Sequence, residues 1–380
     1  MVDDGAFIAA ARKARRRLPR LFADYIDGGA HGERTMARNR NSFARWGVVP
    51  CALCDVSAID LTTRCFGRTW QMPVFLAPVG FAGMFHHHGE RGGAHAARSR
   101  GVGMGVSTFS IAPMEDVAAT GADVMAQIYV LRDRALTRDM LARAKACGIT
   151  GIILTVDTAI TPVRERDVRN GFRHLSRPSV LQMAGLLNHP AWVAGLLRGG
   201  MPVVGNVDAY TTARNVMRQA RDVAAQIDPT LDWNDLAWLR ENWDGTLVVK
   251  GVMCPEDALR AADAGADGIV VSNHGGRQMD PAPATLDVLP GIAAAVGGRL
   301  DIMLDSGIRR GGDVVTALAL GAHAVSIGRP WVWGLAARGA PGVAAALDIL
   351  AQETRDVMAL AGLRDIEAVR AAGQKALWRF

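Results

Sequence analysis

The chain is poor in cysteine, has no long apolar run and carries no compositionally biased tract, and each lack removes a class of protein. Five cysteines in 380 residues, an odd number, point to a reducing compartment rather than a disulfide framework. No stretch reaches the roughly 18 apolar residues that a membrane-spanning helix needs. The basic residues Arg12, Lys13, Arg15, Arg16, Arg17 and Arg20 are not followed by an apolar segment with a cleavage site. No secretory leader is therefore expected, and the expected location is cytoplasmic. Cys51-Ala-Leu-Cys54 has metal-like spacing but no second pair nearby. His86, His87 and His88 are expected to form a solvated loop, because adjacent residues rarely converge on one ion; no metal is expected. The formal charge of +6 favours anionic substrates or an anionic membrane surface. No nucleic-acid motif accompanies it, so no nucleic-acid partner is expected.

What the chain does have is enough apolar sequence for a full core, with 49% hydrophobic and 21% charged residues. Its length allows one large α/β barrel or two ordinary domains, and no shift in composition separates two halves. From Pro73 onward a rhythm begins. Val74–Ala77, Met104–Ser107, Val124–Ile128, Gly151–Val156, Leu247–Lys250, Gly268–Val271, Ile302–Leu304 and Ala324–Ile327 are short apolar runs. Alanine-rich segments of helical period, such as 90–101, 134–147, 255–264 and 312–320, lie between them. Eight strands, each followed by a helix, predict an α/β fold of the (β/α)8 TIM-barrel type. The expected organisation is a single domain over 1–380. Residues 1–72 form an N-terminal helical extension, 73–345 the barrel, and 346–380 C-terminal helices. A long loop, Thr158 to Leu231, interrupts the barrel after the fourth strand.

Chemistry should gather where the strands end, because barrel enzymes place their sites at the C-terminal mouth. The richest end is Gly268-Ile-Val-Val-Ser-Asn-His-Gly-Gly-Arg277. A His-x-x-Arg pair alone is ordinarily a solvated turn. Here a buried strand precedes it, and Gly275 and Gly276 leave room for a ligand. Neutral His274 can take a proton while the Arg277 fork holds a carboxylate, a pairing suited to deprotonating an acid substrate. Asp305-Ser-Gly-Ile-Arg-Arg-Gly-Gly312 and Ile327-Gly-Arg-Pro330 follow the last two strands, where barrels commonly bind phosphate. A phosphorylated ligand is implied. The excursion after strand four carries Trp192, several leucines and Arg173, Arg177 and Arg198. It could lie on a membrane surface or pack as a lid.

Taken together, Ser272-Asn-His-Gly-Gly-Arg-Gln278, Asp24-Tyr25, Gln127-Ile-Tyr129, Thr155-Val-Asp157, Leu247-Val-Val-Lys250-Gly251, Asp305-Ser-Gly-Ile-Arg-Arg-Gly311 and Gly328-Arg329 resemble, in order, the FMN-dependent L-2-hydroxy acid oxidising family. The resemblance implies that His274 is the base for the substrate hydroxyl, with Asp157 hydrogen-bonded behind it. It implies that Arg277, Arg164 and Tyr25 hold the carboxylate, that Tyr129 stands near the hydroxyl-bearing carbon, and that Phe109 limits the substrate's tail. Val79, Gly80, Ser107, Gln127, Thr155, Lys250 and Ser272 would contact the flavin. Asp305, Gly307, Arg309, Gly328 and Arg329 would hold its ribityl chain and phosphate. Where the family's oxidases have alanine this chain has Gly80, which favours a dehydrogenase passing electrons to a quinone or other carrier. An oxygen-using oxidase and a non-redox phosphate-binding barrel are the alternatives. The resemblance also implies a homotetramer, and peripheral contact with the inner face of the cell membrane.

Overall fold

All eight apolar runs form strands, and the strands close on one another. The computed structural model describes residues 5–172, 185–200, 202–213 and 215–380. In chain order the barrel strands are β1 (Val74–Leu76), β2 (Gly103–Val106), β3 (Asp123–Ile128), β4 (Gly151–Thr155), β5 (Thr246–Val252), β6 (Gly268–Val271), β7 (Asp301–Leu304) and β8 (Ala324–Ile327). Each pairs in parallel with its neighbours, and β8 returns to β1 through Val325 opposite Val74. Parallel strands covered on both faces read as unbroken apolar runs, which is why the runs were visible without alternation.

The barrel's interior is packed rather than hollow. Phe75, Met125, Ile153, Val248, Val270 and Met303 point inward and meet Phe66 and Trp70 from a hairpin, Thr63–Cys65 with Arg68–Trp70. This hairpin seals the end where the strands begin. Trp70 Nε1 donates to Asp123 at 2.7 Å, and the Phe66 N–H donates to Asp301 at 2.5 Å; both acids stand at strand starts. The opposite mouth is left for the site.

Two helices precede the barrel, α1 (Gly5–Arg17) and α2 (Arg20–Asp27), followed by α3 (Arg34–Phe43). Gly28 ends α2 in extended backbone (φ −72°) rather than in the left-handed conformation expected of a glycine cap. A Cβ there would lie 2.7 Å from the Asp24 carbonyl oxygen, so close approach is what requires glycine. The chain does not end in helices alone. Leu377–Arg379 pairs antiparallel with Trp46–Val48, tying the two ends of the chain together.

The excursion after β4 contains α4 (Pro190–Gly199) and α5 (Val216–Ala224). Of the two arrangements open to this segment, Trp192 takes the packed one: it is buried. Its Nε1 donates to the Met84 carbonyl at 2.7 Å, and its ring meets Phe22 at 5.3 Å between centroids. Leu187 and Leu197, 64% and 79% accessible, are exposed apolar residues of this segment, as are Ile160, Val163 and Val168 nearer β4. Arg173, Arg177 and the apolar piece Val180–Gly185 lie wholly or mostly outside the described residues. No helix among the described residues is long and apolar enough to cross a membrane.

Candidate active site

The polar end of β6 is built around one hydroxyl. Ser272 Oγ accepts from the His274 N–H at 3.0 Å and from Lys250 Nζ at 2.9 Å, so one buried serine sets both residues. His274 itself has φ +59°, a left-handed conformation that side chains rarely adopt. Its Nδ1 lies 2.9 Å from Asp157 Oδ1, on the loop after β4. Burial favours a protonated Asp157, but His274 and Lys250 outweigh it and hold the carboxyl below its ordinary range. An ionised Asp157 accepts the Nδ1 proton, which leaves Nε2 as the basic nitrogen. Burial lowers the imidazole's pKa despite Asp157, with Lys250 adding to the depression. His274 therefore rests neutral.

Lys250 owes its place to a bulge in β5, where the register shifts between Lys250 and Val252. Gly251 has φ +114°, and a Cβ there would lie 2.8 Å from Asp157 Cβ. Only glycine lets the bulge and Asp157 pack so closely. Burial works against the Lys250 ammonium, yet Asp305 and Asp157 hold its pKa above the ordinary value. Lys250 Nζ stands 3.5 Å from Asp305 Oδ2.

Two further cations line the mouth. Arg277 donates to the carbonyls of Tyr25 and Gly28 and lies over the Tyr25 ring at 4.6 Å. Burial, with Arg164 beside it, brings its pKa down to about 10. Arg329 donates to the carbonyls of Ile26, Gly28 and Gly275. Burial, then Arg277 and Arg309, brings it to about 9. Guanidiniums buried beside one another call for an anion among them.

Two cavities meet here. The inner, of about 830 Å³, is lined by Val79, Asp305, Gly307, Arg309, Gly328 and Arg329 among others. The outer, of about 1640 Å³ and open to solvent, is lined by Ser107, Phe109, Gln127, Tyr129, Thr155 and Arg164 among others. Tyr25, Gly80, Lys250, His274 and Arg277 face both. Residues from distant parts of the chain thus form the wall between two adjoining clefts. Of the expected site residues only Asp157 and Ser272 line neither cavity, and each supports one that does.

Three details of the site bear on what the sequence suggested. The helix after β7, α6 (Gly311–Ala319), was expected to offer free N–H groups to a phosphate. Those of Arg309 and Arg310 donate to Asp313, and that of Gly311 to Glu353. Next, Gly80 does not stand in open space, since a Cβ there would lie 3.0 Å from Phe109 Cβ. Third, the histidine triplet is a solvated loop only in part, with His88 exposed and His87 half-buried. His86 is buried, with its pKa lowered to about 3 by burial first and then by His87, His88 and Arg17. The three side chains offer ligand atoms within 4.8 Å of one another.

Sequence reasoning also missed supporting residues. Buried Glu90 accepts from the N–H groups of Ala82 and Ile111 at 3.0 Å and of Ala112 at 3.2 Å. It thereby joins the loop carrying Gly80 to the loop carrying Phe109. Asn206 accepts from the Met114 N–H at 2.6 Å and donates to the Ser107 carbonyl at 2.8 Å. No local pattern marks either residue.

The inner cavity fits flavin mononucleotide. Buried Arg309 and half-buried Arg329 provide a cationic end for a phosphate, and Lys250 stands where the cleft meets the outer cavity. The chain matches the FMN-dependent dehydrogenase family over residues 14–376. It is 46% identical over 362 residues to an L-lactate dehydrogenase of Caulobacter vibrioides, covering 94% of each chain. An L-lactate dehydrogenase of Stenotrophomonas maltophilia is 44% identical over 358 residues, covering 93% of this chain and 94% of its own. Among solved structures, the monotopic membrane protein (S)-mandelate dehydrogenase superposes with a TM-score of 0.93 at 36% identity, over 98% of this chain and 99% of its own. A mandelate oxidase with benzoyl-formic acid gives 0.82 at 37% identity, over 96% of each. The barrel, its paired cavities and these relatives place the chain in the FMN-dependent dehydrogenase family.

Proposed function

We propose that this enzyme oxidises a short L-2-hydroxy acid to the 2-oxo acid with FMN in the inner cavity, and that its electrons leave to a quinone or another carrier. The observation that carries this reading is the shared wall. His274, Lys250 and Gly80 face both cavities, so a substrate in the outer one lies against a cofactor in the inner one. Bound FMN supplies the two-electron acceptor for the substrate's α-hydrogen. The remaining chemistry belongs to the chain. Neutral His274 takes the hydroxyl proton at Nε2, and Asp157 stabilises the imidazolium that forms. Arg277, with Arg164 and Tyr25, holds the substrate carboxylate and fixes which face is presented. Tyr129, whose hydroxyl burial keeps protonated, is a hydrogen-bond donor near the hydroxyl-bearing carbon. Lys250 offers a fixed positive charge where negative charge develops on reduction. Ser107, Gln127 and Thr155, on the outer side of the shared wall, would meet the flavin ring where it reaches past that wall, and Arg309 and Arg329 would hold the phosphate.

The acceptor is a separate question from the substrate. Family pattern at Gly80 supports a dehydrogenase, and a methyl there would press on Phe109 rather than simply fill space. L-Lactate comes before L-mandelate because Phe109 narrows the outer cavity beside Tyr129, their rings 5.7 Å apart. Anaerobic stopped-flow reduction with each acid, followed by reoxidation with air or a quinone, tests both parts. Fast reduction by L-lactate and reoxidation faster by quinone than by air is expected. Reoxidation by air at the quinone's rate would move the protein to the oxidases. Peripheral membrane contact through Leu187 and Leu197 accords with the reading, as does a homotetramer.

A further inference from the structure

Cys51 and Cys54 lie outside the site, in the connection between strand Trp46–Val48 and the hairpin at Thr63. Both are exposed, and their sulfurs are 3.3 Å apart in a thiol–thiol hydrogen bond. The backbone holds them so. Leu53, between them, has φ +58°, which turns the chain back on itself. The Cys51 N–H donates to the Leu360 carbonyl at 3.0 Å, pinning the turn to the end of helix α7 (Ala340–Leu360). Gly362 backs the pair: a Cβ there would lie 2.6 Å from Cys54 Sγ and 3.2 Å from Cys51 Cβ. Among the described residues, no third cysteine, histidine or carboxylate joins them in a group able to hold a metal ion. Cys65 is buried, and Cys147 and Cys254 are partly covered.

We propose that Cys51 and Cys54 are a surface dithiol that exchanges with low-molecular-weight disulfides and closes reversibly into an intramolecular disulfide. The chemistry balances with one disulfide, R–S–S–R, as oxidant. The Cys51 thiolate attacks one sulfur, forming a Cys51–S–S–R bond and expelling R–S⁻. Cys54, whose thiol is pushed up by its hydrogen bond to Cys51, then gives up its proton and attacks Cys51 Sγ. A Cys51–Cys54 bond forms and the second R–S⁻ leaves. The two protein thiols are oxidised, R–S–S–R is reduced to two R–SH, and the protons of the two cysteines end on the released thiols. The sulfurs need only close from 3.3 Å to a bond of about 2.05 Å. Nothing in this step involves the flavin, so its outcome is independent of the proposed activity.

Peptide mapping tests it on the holoenzyme. Cys51 and Cys54 fall together in the tryptic peptide Trp46–Arg64, and Cys65 falls in the next. After incubation with oxidised glutathione and alkylation in denaturant, that peptide should lose both alkyl groups and weigh two hydrogens less. Dithiothreitol should restore both. In Cys54→Ser the reaction should stop at a mixed disulfide of Cys51 with glutathione, because the resolving thiol is gone. Persistent double alkylation, or glutathione retained on the wild-type peptide, would overturn the proposal. So would protection from alkylation that zinc confers and EDTA reverses without loss of hydrogen, since that behaviour belongs to a metal site.

Discussion

His274 sits in left-handed backbone with its Nδ1 on Asp157, and both features serve one nitrogen. The backbone turn aims Nε2 at the shared wall, and the carboxylate keeps the proton on the other side of the ring. Its folded pKa is depressed, so the neutral, basic form persists below the ordinary histidine range. Activity should therefore be present near neutrality and be lost as pH falls, with the acid limb of kcat/KM for the free enzyme lying below about 6.5. Asp157→Asn removes the neighbour that raises His274, so the limb should move to still lower pH. Turnover should drop by roughly 10²-fold because the tautomer is no longer fixed. His274→Ala should lower turnover at least as far while FMN stays bound. A pH–rate profile of each variant reads both effects; a limb that moves upward in Asp157→Asn would remove Asp157 from its assigned role. Tyr25, at this wall, and Tyr129, in the outer cavity beside it, are two of only three tyrosines in the chain. No local pattern marks Tyr25's stacking under Arg277, because it depends on a contact 252 residues away.

Among the elements, strands were legible and the contacts between loops were not. A strand buried on both faces must be apolar throughout, so β1 to β8 stood out as runs, and their polar ends followed from the barrel's geometry. Glu90 had no such mark. It belongs to a helix by local pattern, yet its carboxylate is spent on three N–H groups of two other loops. Removing it leaves three buried donors unmet, so Glu90→Ala should destabilise the fold by at least about 3 kcal/mol. Glu90→Gln keeps the oxygen that accepts from Ala82 and Ile111 but turns an amide toward the Ala112 N–H, and should cost about 1–3 kcal/mol. Urea denaturation of both variants checks the order. Equal losses would mean that the carboxylate's charge, not its acceptor count, matters. The excursion after β4 was legible as an insertion but not in its orientation, because Trp192 faces a pocket formed by α2 and the loop after β1. Leu187 and Leu197, around α4, are among its described residues that could meet a membrane. Leu187→Ser with Leu197→Ser should reduce sedimentation with anionic vesicles several-fold while the flavin absorbance is unchanged, each leucine losing roughly 1.5–3 kcal/mol of burial. Equal sedimentation of the double variant and the parent would sink the contact.

For the molecule as a whole, the hairpin at Thr63–Trp70 has a kinetic meaning. With Phe66 and Trp70 stopping one end of the barrel, every small molecule that reaches His274 must pass through the other. On the proposed function, the hydroxy acid, the oxo acid and the electron acceptor would share that entrance. An acceptor cannot approach the wall until the product has left it, so the two halves of the cycle take turns. Double-reciprocal plots at several acceptor concentrations should give parallel lines, and the 2-oxo acid should compete with the acceptor. Intersecting lines would mean that a second route to the wall exists. A plug made for packing at the foot of the barrel would in this way dictate queueing at its door.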